Sequence, residues 1–283
     1  MRFRKGRVNS RAKQYVQKAG YILLILIYLI PVIWTGMTSL KPTSIIMARP
    51  PIFFFKPTLE HFISLYTEWE FFGKFWNSIV VSSVTTIICI VLGSLTAYSL
   101  SRYKHRLKGG SAFIPIWILS NRFFPLVVIV LPLFIFYKTL GLLDTYPALI
   151  IANLLPNLPL AVWLLLGFFN EVPQELDDAA KIDGCGDMGV IRRVLFPVAK
   201  SAIAVTAILV FLFSWNEFFI MLTLSRKEAS TVMVAFAGFK QHYRFAWGAM
   251  SAAAMVCLLP LLAIVTIFHK HIVRGMTLGA VKG

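Results

Sequence analysis

The sequence predicts an all-α polytopic membrane protein: six transmembrane helices with a helix–turn–helix loop on the basic side. Three observations carry this. The 283 residues are 58% hydrophobic and 14% charged, with a mean hydropathy of +0.75, which is too apolar for an ordinary soluble domain. Six stretches are long and apolar enough to cross hydrocarbon, a task that takes roughly 20 such residues. And half of the twelve acids crowd into one short block between the fourth and fifth stretches.

Residues 1–20 read as a basic N-terminal segment. The spans then run approximately 21–40, 76–100, 112–137, 146–169, 198–224 and 247–268, inside a six-helix transmembrane domain of residues 21–270. The first has no small-residue cleavage site and five more spans follow, so a cleavable signal peptide is not expected. The loop at 41–75 is rich in proline and aromatics, and its LEHFISLYTEW run has the spacing of a short interfacial helix. Prolines 115, 125, 132, 156, 159 and 260 fall inside spans. Each removes a helical donor, a break that membrane helices tolerate where neighbours or water satisfy the backbone. The acidic loop occupies 171–197, and residues 271–283 form a basic tail.

Orientation follows from the basic residues. Arg2, Arg4, Lys5, Arg7, Arg11, Lys13, Lys18, Arg102, Lys104, Arg106, Lys108, Lys181, Arg192, Arg193, Lys200, Lys270, Arg274 and Lys282 share one side. The other side holds Lys41, Arg49, Lys56, Lys74, Lys138, Arg226, Lys227, Lys240 and Arg244, and Arg122 lies within a span. Both termini and the acidic loop are therefore expected in the cytoplasm. This anchoring accounts for the net charge of +16 without nucleic acid, for which there is no soluble domain. Cys89, Cys185 and Cys257 are too scattered for a zinc site or disulfide framework. His269 and His271 read as part of a basic helix end rather than as metal ligands.

The acidic loop carries a structure of its own. Pro173 suits a first helical position, and Glu175, Asp177 and Asp178 favour the positive end of a helix dipole. Leu176, Ala179, Ala180 and Ile182 supply an apolar side, and Gly184 is placed to end the helix in a left-handed conformation. A second short helix can start at Asp187 and run to Pro197. An alanine-bearing helix of this kind can sit closely in a groove of another protein.

The same residues resemble the EAA motif of ABC importer permeases. Asp178-Ala179-Ala180 is followed after three residues by Gly184, and after nine more by Val194-Leu195-Phe196-Pro197. Asp replaces Glu, Val replaces Ile and Phe replaces Leu, all conservatively. TSLKP, FWNS, GLLDTYPALI, FLFSWNEFF and HIVRGMTLGAVKG extend the resemblance to nearly the whole chain and to its carbohydrate-uptake, MalG-type branch. The resemblance implies a multi-pass permease subunit in the bacterial cytoplasmic (inner) membrane, moving a carbohydrate of oligosaccharide size, with an acidic oligosaccharide as one version of the expectation. It also implies a second homologous permease, two ATP-binding-cassette subunits and an extracytoplasmic solute-binding protein as partners. Glu175, Asp178, Ala179, Ala180, Asp183, Gly184 and Pro197 would form the coupling contact with the ATPase, and Arg274, Gly275 and Gly279 an extended tail contact. No G-x-x-x-x-G-K-[ST] phosphate loop is present, so ATP and Mg would be used by the partner subunits. No catalysis and no cofactor are expected of this chain.

Arg122 is the intramembrane charge with the most to explain, because a cation in hydrocarbon costs several kcal/mol unless partnered. It can pair with Glu217, cap carbonyls freed by a proline, or line the translocation path and meet an acidic solute through paired hydrogen bonds. Trp117 and Phe123 would stack neutral sugars, and Asn216 and Glu217 complete the candidate path. Two rivals remain: the same class of importer with a non-sugar solute, and an ion-coupled carrier. The carrier leaves the acidic loop without a role. A membrane-embedded enzyme would need a nucleophile–base or metal cluster that the sequence does not offer.

Overall fold

The computed structural model describes residues 9–103, 113–239 and 246–278, and among them every regular element is helical. Among the described residues four helices are continuous and apolar enough to span a membrane. Two more spans exist if each of two sharply bent helix pairs counts as one. The chain divides into two compact units, Met1–Trp69 with Phe239–Val256, and Glu70–Gly238 with Cys257–Gly283. The last helix, α13 (Trp247–Leu278), begins in the first and ends in the second.

In the first unit, α1 (Asn9–Leu40) starts well before the expected span, taking in much of the basic N-terminal segment. The expected interfacial helix is α2 (Glu60–Thr67). It is tied back to the end of α1 by polar bonds. Thr43 donates its N–H and its hydroxyl to Glu60 Oε1 at 2.8 and 2.9 Å, and Thr58 N–H donates to Leu40 O at 2.9 Å. The buried His61 Nε2 lies 2.8 Å from Lys41 O. The Thr43 bonds hold the Glu60 carboxyl below the usual carboxylate range, against a smaller effect of burial. Gly248 lies so close to His61 that a Cβ there would run into the ring. Lys41 Nζ sits 4.9 Å from the centre of the Trp34 ring, a desolvated cation on an aromatic face. Most of the apolar surface of α1 remains uncovered, only 6% of its spanning window being buried.

The second unit is organised around α3 (Phe71–Arg102), α6 (Tyr146–Glu171) and α10 (Lys200–Trp215). α3 and α6 pack tightly because Gly93 faces Ala161. A Cβ at 93 would lie 3.1 Å from the Ala161 Cβ, the small-residue approach by which membrane helices gain dispersion contact. One end of this bundle is closed by Ala97, Tyr98, Leu165 and Phe169. The other is closed by Val81, Val130, Ala148, Leu149, Ile220 and Leu224.

The third and fifth spans differ from the sequence expectation. The third is α4 (Phe113–Ser120), a 3₁₀ turn (Asn121–Phe123), an extended Phe124, and then α5 (Leu126–Thr139); the halves are bent by 81°. The residue before a proline is pushed out of the helical region, and Phe124 before Pro125 adopts φ −65°, ψ 133°. The fifth span stops at Trp215 rather than continuing to 224. After Asn216–Phe218 a separate α11 (Phe219–Leu224) begins, with Glu217 Oε1 accepting the Ile220 N–H at 3.0 Å. A short α12 (Val232–Gly238) follows.

A clamped hairpin and an intramembrane arginine as the candidate functional site

The acidic loop folds as two arms. The first, α7 (Glu175–Ile182), has Glu175, Asp177 and Asp178 in its opening turn, where carboxylates meet the positive end of the dipole. It starts at Glu175, two residues beyond the proline expected at its first position. Gly184 takes φ +83°. Its N–H bonds to Lys181 O at 3.0 Å while Cys185 N–H bonds to Ala180 O at 2.9 Å, the paired pattern of a left-handed helix terminator. The second arm comprises α8 (Asp187–Val190), a π turn (Ile191–Leu195) and α9 (Phe196–Val198). Pro197 therefore sits inside this arm. The sharp bend, 86°, falls between Val198 and α10.

The faces of α7 are not divided as the sequence suggested. Asp177 and Ala180 point into the protein, whereas Leu176, Ala179 and Ile182 are exposed, Ile182 to 87%. Glu175, Asp178, Asp183 and Gly184 are exposed with them. The apolar side expected to include Ala180 is thus split: one alanine anchors and the other faces outward.

A clasp that sequence reasoning missed holds the inward face. Arg102, the last residue of α3, donates from Nε to Asp177 Oδ2 at 2.6 Å, and both side chains are almost fully buried. Its Nη1 donates to Phe169 O at 3.1 Å and to Ser101 Oγ at 3.2 Å, and its Nη2 to Val172 O at 3.1 Å. One guanidinium thus joins α3, the open carbonyl end of α6 and α7. A cation at a helix C-terminus also complements the dipole there. A second, more exposed clasp centres on Asp187, whose Oδ1 accepts from Tyr103 at 2.7 Å, Tyr98 at 3.3 Å and Lys181 at 3.2 Å. The Tyr103 bond leads in holding the Asp187 carboxyl below the usual range, with burial opposing it and Lys181 assisting. The second arm packs Val190, Ile191 and Leu195 into the cluster of Tyr98, Leu165 and Phe169.

Arg122 is not paired with Glu217. Its Nη1 donates to Pro156 O at 2.7 Å, and its guanidinium carbon lies 4.5 Å from the centre of the Phe213 ring. The bond is to a backbone carbonyl, as one of the three expected roles required, but Pro156 O is the acceptor of the Leu160 turn rather than a carbonyl freed by a proline. Trp117 and Phe123 are exposed, to 57% and 78%. Asn216 is exposed and turns its amide back to Leu212 O at 2.7 Å. The structure does not bring Trp117, Phe123, Asn216 and Glu217 together around Arg122 by any bond it records.

The tail differs too. Arg274 and Gly275 belong to the backbone of α13, which stays helical to Leu278, so the expected extended conformation does not hold there. Gly279 lies outside the described residues. Among the described residues no cluster of His, Cys, Asp and Glu could hold a metal.

At the far end of the second unit, Asp144 adopts φ +61°. Its carboxylate accepts the N–H groups of Arg226, Lys227, Glu228 and Ala229 at 2.8–3.0 Å. Burial would raise its pKa, but these four bonds together outweigh that and hold it below the usual range. Asn77 catches the same loop from the other side, donating to Glu228 O and Ser230 O while accepting from Tyr146.

Helices of spanning length, two sharply bent helix pairs, and a clamped acidic hairpin whose second arm is half of one such pair define a polytopic membrane protein. The profile of the family described as "Binding-protein-dependent transport system inner membrane component" matches residues 90–278, and the chain belongs to that family. It is 35% identical over 268 residues to the trehalose/maltose transport system permease protein MalG of Thermococcus litoralis, covering 93% of this chain and 95% of the relative. It is 37% identical over 273 residues to the trehalose transport system permease protein SugB of Mycobacterium tuberculosis, covering 93% and 94%. It shares its fold, at TM-score 0.72 and 20% identity over 96% of this chain and all of the other, with a chain of a bacterial ABC transporter involved in import of the acidic polysaccharide alginate. The protein is thus a multi-pass component of an inner membrane.

Proposed function

We propose that this chain is one of two transmembrane subunits of an ATP-driven importer for a carbohydrate of oligosaccharide size. The observation that carries the reading is the division of α7: Asp177 and Ala180 are held inward, and Leu176, Ala179 and Ile182 are left exposed on a clamped hairpin. An exposed apolar row beside acids is what a docking helix needs, with small residues allowing close approach and the carboxylates giving register. In this reading the hairpin inserts into a cytoplasmic ATPase subunit, with both chain termini on the same side. The uncovered α1 meets lipid or the second permease. An extracytoplasmic binding protein delivers the solute, and ATP with Mg is consumed by the partner subunits alone. The trehalose and maltose systems named for the relatives support sugar as the solute class.

Import then proceeds by alternating access. ATP binding draws the docked hairpins together and favours an outward-open bundle, and hydrolysis restores the inward-open one. ATP shifts this equilibrium only by its differential affinity for the two states, so the hairpin must move with the bundle. Arg122 serves the path indirectly, fixing the broken third span to α6. The test is Ala179→Trp in the full complex, assayed for co-purification of the ATPase subunits and for Mg-ATP-driven uptake of trehalose and maltose into proteoliposomes. Lost co-purification and lost uptake are expected, with the permease still inserted. Undiminished co-purification would remove α7 from the interface.

A further inference from the structure

We propose that Arg102 is the positioning residue through which displacement of the docking helix is passed to the membrane-spanning helices. The proposal rests on the reading that α7 is the docking surface. α7 has few other inward attachments. Of its eight residues only Asp177 and Ala180 are buried, and its covalent lead-in from α6 is the short Val172–Gln174 connection. Its other tie is the exposed Lys181, paired with Asp187 and reaching Tyr103, a contact that solvent weakens, so the helix can swing when its outer face is pulled.

Arg102 removes that freedom. Its guanidinium makes four bonds to acceptors on three elements: the Asp177 carboxylate on α7, Phe169 O and Val172 O at the end of α6, and Ser101 Oγ on α3 itself. The group is planar and its donors point in fixed directions, so acceptors bonded to different edges are fixed relative to one another. The pair is shielded from water, so the bonds are not weakened by solvent screening as exposed pairs are. α3 and α6 are themselves locked by the Gly93–Ala161 approach. A pull on α7 therefore reaches two spans together. The second arm offers a different route, since it leads through the 86° bend into α10. That arm also rests on α3 and α6 through Val190, Ile191 and Leu195 against Tyr98, Leu165 and Phe169, so without Arg102 it is α7, with the turn that ends it, that comes loose from α3 and α6.

This can be tested without knowing the solute. Spin labels are placed at the exposed positions Gly186 in the hairpin and Ile87 in α3, with Cys185→Ser to leave only introduced thiols accessible. Cys89 and Cys257 are buried. The complete complex in nanodiscs is compared with no nucleotide and after trapping with Mg-ATP and vanadate. With Arg102 present the label separation stays the same in both states, because hairpin and α3 move as one body. Arg102→Gln shifts or broadens it on trapping, while the ATPase subunits still co-purify. Arg102→Lys, which keeps the charge but not the forked donors, falls between. A purely structural role would lower the yield of folded protein and leave the separation in the surviving complex unchanged, and that result would overturn the proposal. So would loss of the ATPase subunits from both Arg102 variants, since Arg102 would then hold the docking surface in shape rather than transmit its motion. Failure of the docking reading shows separately, as intact co-purification in Ala179→Trp.

Discussion

The two ends of α3 are fastened by different chemistry. Near its start, Asn77 donates to two backbone carbonyls of the 228–230 segment and accepts from Tyr146, while Asp144 collects four N–H groups of the adjoining 226–229 segment. At its last residue, Arg102 meets a buried carboxylate and two carbonyls. The first arrangement shares its load among many backbone groups of a loop. The second concentrates it in one charged side chain that joins three helices. Loops can be pinned by spread-out bonds without regard to direction, but a hairpin that acts as proposed here, pulling two helices together, needs a stiff, local joint. The two ends should therefore respond differently to the loss of a single side chain.

The largest effect is expected where the charge is concentrated. Asp177→Ala leaves Arg102 buried without its counter-charge, and breaking a buried ion pair in this way costs about 3–5 kcal/mol. The thermal unfolding midpoint of the assembled complex in nanodiscs should fall by several degrees. Hydrogen exchange should rise in α7 ahead of the rest of the bundle. A midpoint unchanged from the parent would mean that the Arg102 joint adds nothing to stability.

The other end should yield less. Asp144→Asn keeps a residue type that tolerates the left-handed backbone, so conformation is not the variable. The amide can still accept through its oxygen, but its NH₂ group now faces N–H donors. Leaving part of a set of donors unsatisfied costs about 1–3 kcal/mol. Faster amide exchange confined to 226–229, with α7 unaffected, is the expected result. If α7 loosened equally, the two ends would not be independent fastenings.

Much of this architecture is legible in the sequence, for physical reasons. Span existence follows from composition, because the bilayer requires long apolar runs whatever their packing. The end of α7 follows from Gly184, because a left-handed backbone position favours glycine. What escapes is whatever depends on partners distant in the chain. Arg102 looks like one more of eighteen basic residues on its side, and nothing local marks it as the partner of Asp177, 75 positions on. Pro125 marks the break of the third span, though not its 81° angle, and no proline stands near the stop of α10 at Trp215 to announce it. The Arg122–Glu217 pairing was plausible because both are charges in apolar stretches. It fails because each finds a backbone partner: Pro156 O for the cation, Ile220 N–H for the carboxylate.

The smallest effect is expected at the exposed clasp of the hairpin, and its pH dependence separates it from the Arg102 joint. Asp187 accepts from two tyrosines and Lys181, but its side chain is 54% exposed. Exposed ion pairs contribute about 0.2–1 kcal/mol. Its folded pKa is depressed. Its contribution is therefore fully present above the unfolded value of about 3.9 and is lost as the pH falls through the lower, folded value. Asp187→Asn removes the charge at every pH. The midpoint gap between parent and variant should be small and constant from neutral pH down to about 5, and should close only below about 4, as Asp187 itself protonates. A gap as large as that of Asp177→Ala would place the main joint at Asp187 instead. A gap closing near neutral pH would point to a titrating group other than this carboxylate.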